Sequence, residues 1–388
     1  MSGPDPFSST QSGGLTDREV AQAFDPDRLR QARQLALKTK HDVAIDVGVS
    51  PAAIGQYESG VTVPRADLIS RFAESLDVPR EFFVTGRPQA KLESGEAFFR
   101  SLRSTTAKQR AKATAFTEQL WELVHAIEKH VRFPRVDLPG FLGGEIQPGT
   151  FPANPEAAAR ALRQEWGLGD RPIGHLVRTI ESHGIVTIFA PLAKDDEVRR
   201  IDAFSTLALS RPVIVLSPDR ADDVFRHRFT AAHELGHLVL HGGQPAGDIA
   251  LEREADRFAA EFLTPKAVMA NVLPRRLDFG RLGRLSAEWG VSIKSLVYRS
   301  REIGLLSDAT ARRAYIRIEL LIKEGELVNR PVIQFPTEVP EMLRRAVELA
   351  ESQGLSVTSL ARDLRWKPAQ VRKLLSGEVD ERPTLRLV

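Results

Sequence analysis

The chain has 388 residues, 54 Lys and Arg against 51 Asp and Glu, 42% apolar residues and no cysteine. That length calls for two or three domains rather than one core. The absent thiols exclude disulfides, thiolate zinc sites, iron–sulfur clusters and cysteine nucleophiles, and the near-balanced charge confines any nucleic-acid contact to a local patch. No apolar run reaches the length of a membrane span. The start, Met1 to Asp25, shows no basic segment followed by an apolar one, so a cytoplasmic protein without a membrane partner is expected.

Residues before about Leu15 read as a disordered tail, after which Thr16-Asp17-Arg18-Glu19 forms a capping box for a short helix through Phe24. From Asp27 to about Gly86 the pattern is helical. A first helix turns Leu29, Ala32 and Ala36 inward, Thr39 caps a second from Lys40 to Val47, and Gly48 ends it. Ser50-Pro51 supplies an N-cap and first-turn proline for a third helix through Glu58. Ala44, Gly48 and Ile54 fall where a helix-turn-helix needs a small residue, a left-handed turn and an apolar anchor. Leu68, Phe72, Ala73, Leu76, Val78 and Phe82 supply the helices that close such a unit.

Val49-Ser50, Ile54, Glu58, Gly60 and Pro64 resemble the pattern of the lambda-repressor/Cro-like (XRE-type) helix-turn-helix family. The resemblance implies that the third helix enters the major groove of a double-stranded DNA operator. It places Ser50, Ala52, Ala53 and Gln56 at the DNA, with Gln56 the residue for bidentate adenine recognition, and Lys40 at a phosphate. The competing expectation is a helical protein-interaction domain, since acids nearly balance bases in this segment.

A long amphipathic helix is expected from Ser104, with Phe116, Leu120, Leu123, Val124, Ile127 and Val131 on one stripe. The stripe would pack on a neighbouring domain or on a second copy of the chain, and a homodimer would suit a palindromic site. Phe133 to Pro155 is rich in Pro and Gly and marks a boundary. Asn154-Pro155 then caps a helix carrying Ala158, Leu162 and Trp166, and another follows from Ile173 to His183. Strands are expected at Ile185–Phe189, Ala203–Leu209 and Val213–Leu216, then a helix from Ala221 to His241.

That last helix carries His233-Glu234-Leu235-Gly236-His237. Histidines four apart project from one face and can reach one cation, with the Glu beside it to take a proton from water. With nine histidines in the chain, such a motif arises by chance roughly 0.02 times. The alternative, two idle histidines on a solvated face, sits poorly with the apolar flanks Ala231, Ala232, Leu235, Leu238 and Val239. Zinc needs a further ligand. His241 lies two turns from His233 and reads as a supporting or structural residue. Downstream, Glu252 and Asp256 share a helix face and suit a carboxylate ligand plus a carboxylate that orients an imidazole, with Glu254 the second choice of ligand.

Together, Phe229 to His237 and the run Leu251-Glu252-Arg253-Glu254-Ala255-Asp256-Arg257-Phe258-Ala259 resemble the ImmA/IrrE family of zinc metallopeptidases, over roughly residues 155–304. The resemblance implies one Zn2+ ion on His233, His237 and Glu252, Asp256 in support, Glu234 as general base, and a protein substrate of the repressor type. Tyr298, His227 and Arg226 are the options for a second oxyanion donor, and the strand Arg211 to Leu216 is expected to offer an edge to an extended substrate.

Helical patterns continue through Leu282, Leu285, Trp289, Leu296 and Leu305, and, after Pro331 to Pro340, through Leu343, Leu360, Trp366 and Leu374. The basic end suits either a second helix-turn-helix or a dimerisation unit. The expected architecture is mainly α with a central α+β domain: disordered tail and short helix 1–25, all-α helix-turn-helix 26–88, helical spacer 89–153, zincin-like metallopeptidase domain with a small sheet 154–306, and a helical region 307–388. Two functions follow: a DNA-binding regulator with a working zinc endopeptidase, or a transcription factor whose metallopeptidase-like domain senses a ligand or metal without proteolysis.

Overall fold

The structure, a computed structural model, describes residues 14–90, 92, 106–190, 203–217, 221, 223–242, 249–328 and 330–376. Of the tail expected before about Leu15, residues 1–13 lie outside them. Helices α1 (Asp17–Gln22), α2 (Pro26–Leu35), α3 (Lys40–Val47), α4 (Pro51–Glu58) and α5 (Ala66–Leu76) form the first unit. Their ends follow local chemistry: Thr16 and Thr39 close capping boxes, Ser50 accepts from the Ala53 amide, and Gly48 takes φ 71°. Leu29, Val43, Ile54, Ile69, Phe72 and Phe82 are fully buried between these helices.

Helix α6 (Ala107–Glu128) begins after Thr106, which caps it with Gln109, two residues later than the expected start at Ser104, which is outside the described residues. Its apolar stripe is covered within the chain by α2 and by the C-terminal helices described below, so the stripe is not left for a second copy. Even polar positions such as Thr117, Glu118 and Glu122 are buried.

Next come α7 (Pro155–Glu165), capped by Asn154, and α8 (Leu176–Ser182), which starts three residues later than expected. A three-stranded sheet follows, β1 (Val186–Phe189), β2 (Ala203–Thr206) and β3 (Val213–Leu216), in the order β1-β3-β2. β1 runs parallel to β3, pairing Val186 with Val213, and β2 runs antiparallel, pairing Ala203 with Leu216. β3 is therefore central and paired on both sides. This corrects the expectation that it offers an edge; β1 and β2 are the edges among the described residues.

Helices α9 (Val224–Leu240), α10 (Ile249–Leu263), α11 (Lys266–Val272), α12 (Phe279–Trp289), α13 (Ile293–Glu302) and α14 (Asp308–Lys323) complete the central part. The described residues close with α15 (Met342–Ser352), α16 (Val357–Leu364) and α17 (Pro368–Ser376).

The side chains divide between two cores, and the sheet separates them. Val186, Ile188, Phe204, Val213 and Val215 face a core shared with the first unit, α6 and α15–α17. Phe189, Ala203, Ile214 and Leu216 face the core of α7–α14. This is the period-two alternation of a strand with both faces covered. Each fully buried side chain of this size contributes roughly 2 kcal/mol.

Candidate metal centre and nucleic-acid face

The central site forms where α9 and α10 pack side by side, closely enough that a Cβ on Gly236 would come within 3.0 Å of the Phe258 ring. That closeness puts three side chains at one point. Nε2 of His233 and Nε2 of His237 lie 3.0 Å apart, and the Glu252 carboxylate reaches them at 3.3 and 3.5 Å. One ligand atom from each of the three falls within 4.8 Å of the others.

These residues fit a divalent cation. A tetrahedron with zinc–nitrogen bonds of about 2.0–2.1 Å has edges of about 3.3 Å, close to the three separations observed. The far side of each ring is also engaged, as rings that ligate metals require. His233 Nδ1 lies 2.9 Å from Asp256 Oδ1. His237 Nδ1 meets His241 Nδ1 at 3.0 Å, and His241 Nε2 meets Glu254 Oε2 at 3.0 Å. Glu254 thus stands behind His241 rather than at the cluster. Burial pulls the His233 imidazole down, yet the hydrogen bonds of Asp256 and Glu252 and the charge of Glu234 push it up to about 10. The same bonds from His233 and His237 hold the Glu252 carboxyl well below its ordinary value. Two carboxylates and a nearby third make this a strongly cation-seeking place.

Glu234 is 2% exposed. The Ser205 hydroxyl, from edge strand β2, lies 2.8 Å from Glu234 Oε2 and 3.1 Å from its backbone carbonyl. Sequence reasoning missed Ser205, and nothing in Ala203-Phe204-Ser205-Thr206 marks it. Of the three oxyanion options, His227 is turned away: it is buried and its Nε2 bonds to the Glu338 carbonyl at 2.8 Å. Arg226 is exposed. Tyr298 lines a cavity that Asp256 also lines.

In the N-terminal unit, Ala52 and Gln56 are exposed on α4, Ala53 is half-buried, and the Ser50 hydroxyl is engaged as the cap at 3.1 Å from the Ala53 amide. Lys40 stands at the start of α3, half-exposed, with Nζ 3.6 Å from Glu58. Arg33 Nη2 donates to the same carboxylate at 3.0 Å, tying α2 to α4 and holding the angle of the α4 face. Lys108, from α6, reaches the cleft that Lys38, Thr39 and Lys40 line. It adds a cation there that the sequence pattern did not point to.

An exposed third helix on a helix-turn-helix frame, joined to an α+β domain with a His/Glu metal cluster, defines a DNA-binding regulator with a metallopeptidase-like domain. Comparison with protein families agrees. Residues 29–83 match the family described as Helix-turn-helix, and residues 180–301 match a peptidase family described as IrrE N-terminal-like domain. The chain is thus a fusion of an XRE-type helix-turn-helix with an ImmA/IrrE-like domain. No curated protein matches it. No helix among the described residues is long and apolar enough to cross a membrane.

Proposed function

We propose that the chain is a transcriptional regulator whose central domain is a zinc endopeptidase, cleaving a regulatory protein: a repressor or the chain itself. The observation that carries this is the convergence of three ligand atoms within 4.8 Å, next to Glu234, in a chain that also presents an open α4 face. His233, His237 and Glu252 would hold one Zn2+ ion, with Asp256 and the His241–Glu254 pair fixing the rings. When bound, zinc supplies Lewis acidity, which polarises a carbonyl oxygen and makes water acidic near neutral pH.

Glu234 takes a proton from the attacking water and returns it to the leaving amine. Ser205 holds Oε2 of that carboxylate, leaving Oε1 to carry the proton. Strand β2 runs beside α9 and brings Ser205 to Glu234. At the DNA, Gln56 reads adenine and Lys40 holds a phosphate, with Ser50, Ala52 and Ala53 against the groove. Such work belongs in the cytoplasm.

Metal analysis of purified protein and Glu234→Gln test this reading. Zinc near one equivalent is expected, and less than a tenth would sink it. Glu234→Gln should keep the metal and lower cleavage by at least about a hundred-fold. Cleavage is read as new protein N-termini, found by mass spectrometry in cells expressing the wild type and absent with the variant.

The burial of Glu234 beneath Ser205 favours a second reading, a metal or ligand sensor without proteolysis. On that reading Glu234→Gln leaves a reporter gene unchanged, while Gln56→Ala or Lys40→Ala abolishes operator binding.

A further inference from the structure

A cavity of about 560 Å³ opens between α10, α13 and α14, beside the metal centre. Its volume is that of a small-molecule site and exceeds what one peptide side chain would fill. Phe229, Tyr298 and Tyr315 give it an aromatic lining. The charged residues around it are four cations, Arg253, Arg257, Lys294 and Arg299, against two carboxylates, Asp256 and Glu302.

Arg299 is the informative one. It is 1% exposed, and its Nη1 donates to Glu302 at 2.6 Å and lies 3.4 Å from Glu261. Its Nε and Nη2 have no hydrogen-bond partner. Those two donors lie along one edge of a planar group and form the fork that matches the two oxygens of a carboxylate. Leaving such donors buried and unpaired is costly, and a ligand that pairs them removes the cost.

We propose that this cavity binds a small organic carboxylate with an aromatic or apolar body. The carboxylate takes the free edge of Arg299, and the body lies against Phe229, Tyr298 and Tyr315. Asp256 and Glu302 in the same wall oppose a doubly charged head group, which selects carboxylate over phosphate. The occupant would lie against Asp256, the residue that orients His233, so the cavity is placed to report on or adjust the metal centre. None of this requires the domain to cleave peptides, and the readout is binding.

The test is calorimetric titration of the full chain with 4-phenylbutyrate, the neutral 4-phenylbutyramide and phenyl phosphate. Saturable one-to-one binding of the acid is expected, with the amide and the phosphate at least ten-fold weaker. Arg299→Lys keeps the charge and the Glu302 pair but removes the fork, and should weaken the acid at least ten-fold with circular dichroism and melting unchanged. Ala260→Phe fills the cavity from α10 and should do the same, which covers the case in which Arg299→Lys does not fold. No binding of the acid, equal binding of the amide, phosphate as tight as the acid, or full affinity in a folded variant would each overturn the assignment.

Discussion

His227 is enclosed between α9, the Phe189 ring and the carbonyl of Glu338, to which its Nε2 donates. Burial pulls its imidazole down to about 4; the Glu338 bond opposes this, and the neighbouring Arg228 charge adds to it. A histidine that ordinarily titrates near 6.5 then takes up a proton more readily unfolded than folded, so stability is fully present above about 6.5 and is lost as pH falls towards 4. The loss from this residue is about 3 kcal/mol. Urea titrations at pH 7 and 4.5 should show it, and in His227→Gln, which keeps an N–H donor, the drop should shrink by that amount; an identical drop in both proteins would refute the assignment. Ser205 is the contrasting case. Ser205→Ala leaves the metal cluster intact and should lower cleavage roughly ten-fold by freeing the Glu234 carboxylate, with zinc content unchanged. The two histidines and Glu234 were legible in the sequence because their spacing is set by one helix. Ser205 was not, because its role comes from a strand 29 residues away.

At the scale of elements, the site depends on how near α9 and α10 approach. A Cβ on Gly236 would sit 3.0 Å from Cδ1 and 3.2 Å from Cβ of Phe258. The second contact is to an atom fixed to its backbone, so the helices must part by a few tenths of an ångström. Gly236→Ala is therefore expected to cost about 1–3 kcal/mol in denaturant titration. It should also weaken zinc about ten-fold in competition with a chelator, since Glu252 is carried on the displaced helix. Unchanged zinc affinity would mean that the spacing does not set the site. Helix ends at Thr16, Thr39, Ser50 and Asn154 were readable because caps are written in three or four adjacent residues. Strand order was not. The apolar run Val213–Leu216 says that both faces of β3 are covered but not which strands flank it, and only its pairing with β1 and β2 decides.

The whole molecule is organised by contacts that no local pattern encodes. Arg28, fully buried in α2, pairs with Glu122 of α6, and Arg87 meets both Glu122 and the carbonyl of Leu364 in α16. Arg365 donates to the carbonyls of Val84 and Thr85, each at 3.0 Å, across some 280 residues of sequence. The helix-turn-helix, the long α6 and the C-terminal helices therefore share one core, and that core rests on one face of the sheet whose other face supports the metal helices. A ligand bound only by the folded state stabilises whatever unfolds with its site, by about 2.7 kcal/mol at a hundred times its dissociation constant. If the sheet joins the two cores into one cooperative unit, zinc should raise the melting temperature of the DNA-binding half as much as that of the metal half. Calorimetry with and without a chelator gives one answer, and a fluorescent probe placed on exposed Gln56 gives the other. A single transition that moves as a whole is expected. Two transitions, of which only one responds to metal, would show that the sheet separates the two cores without coupling them.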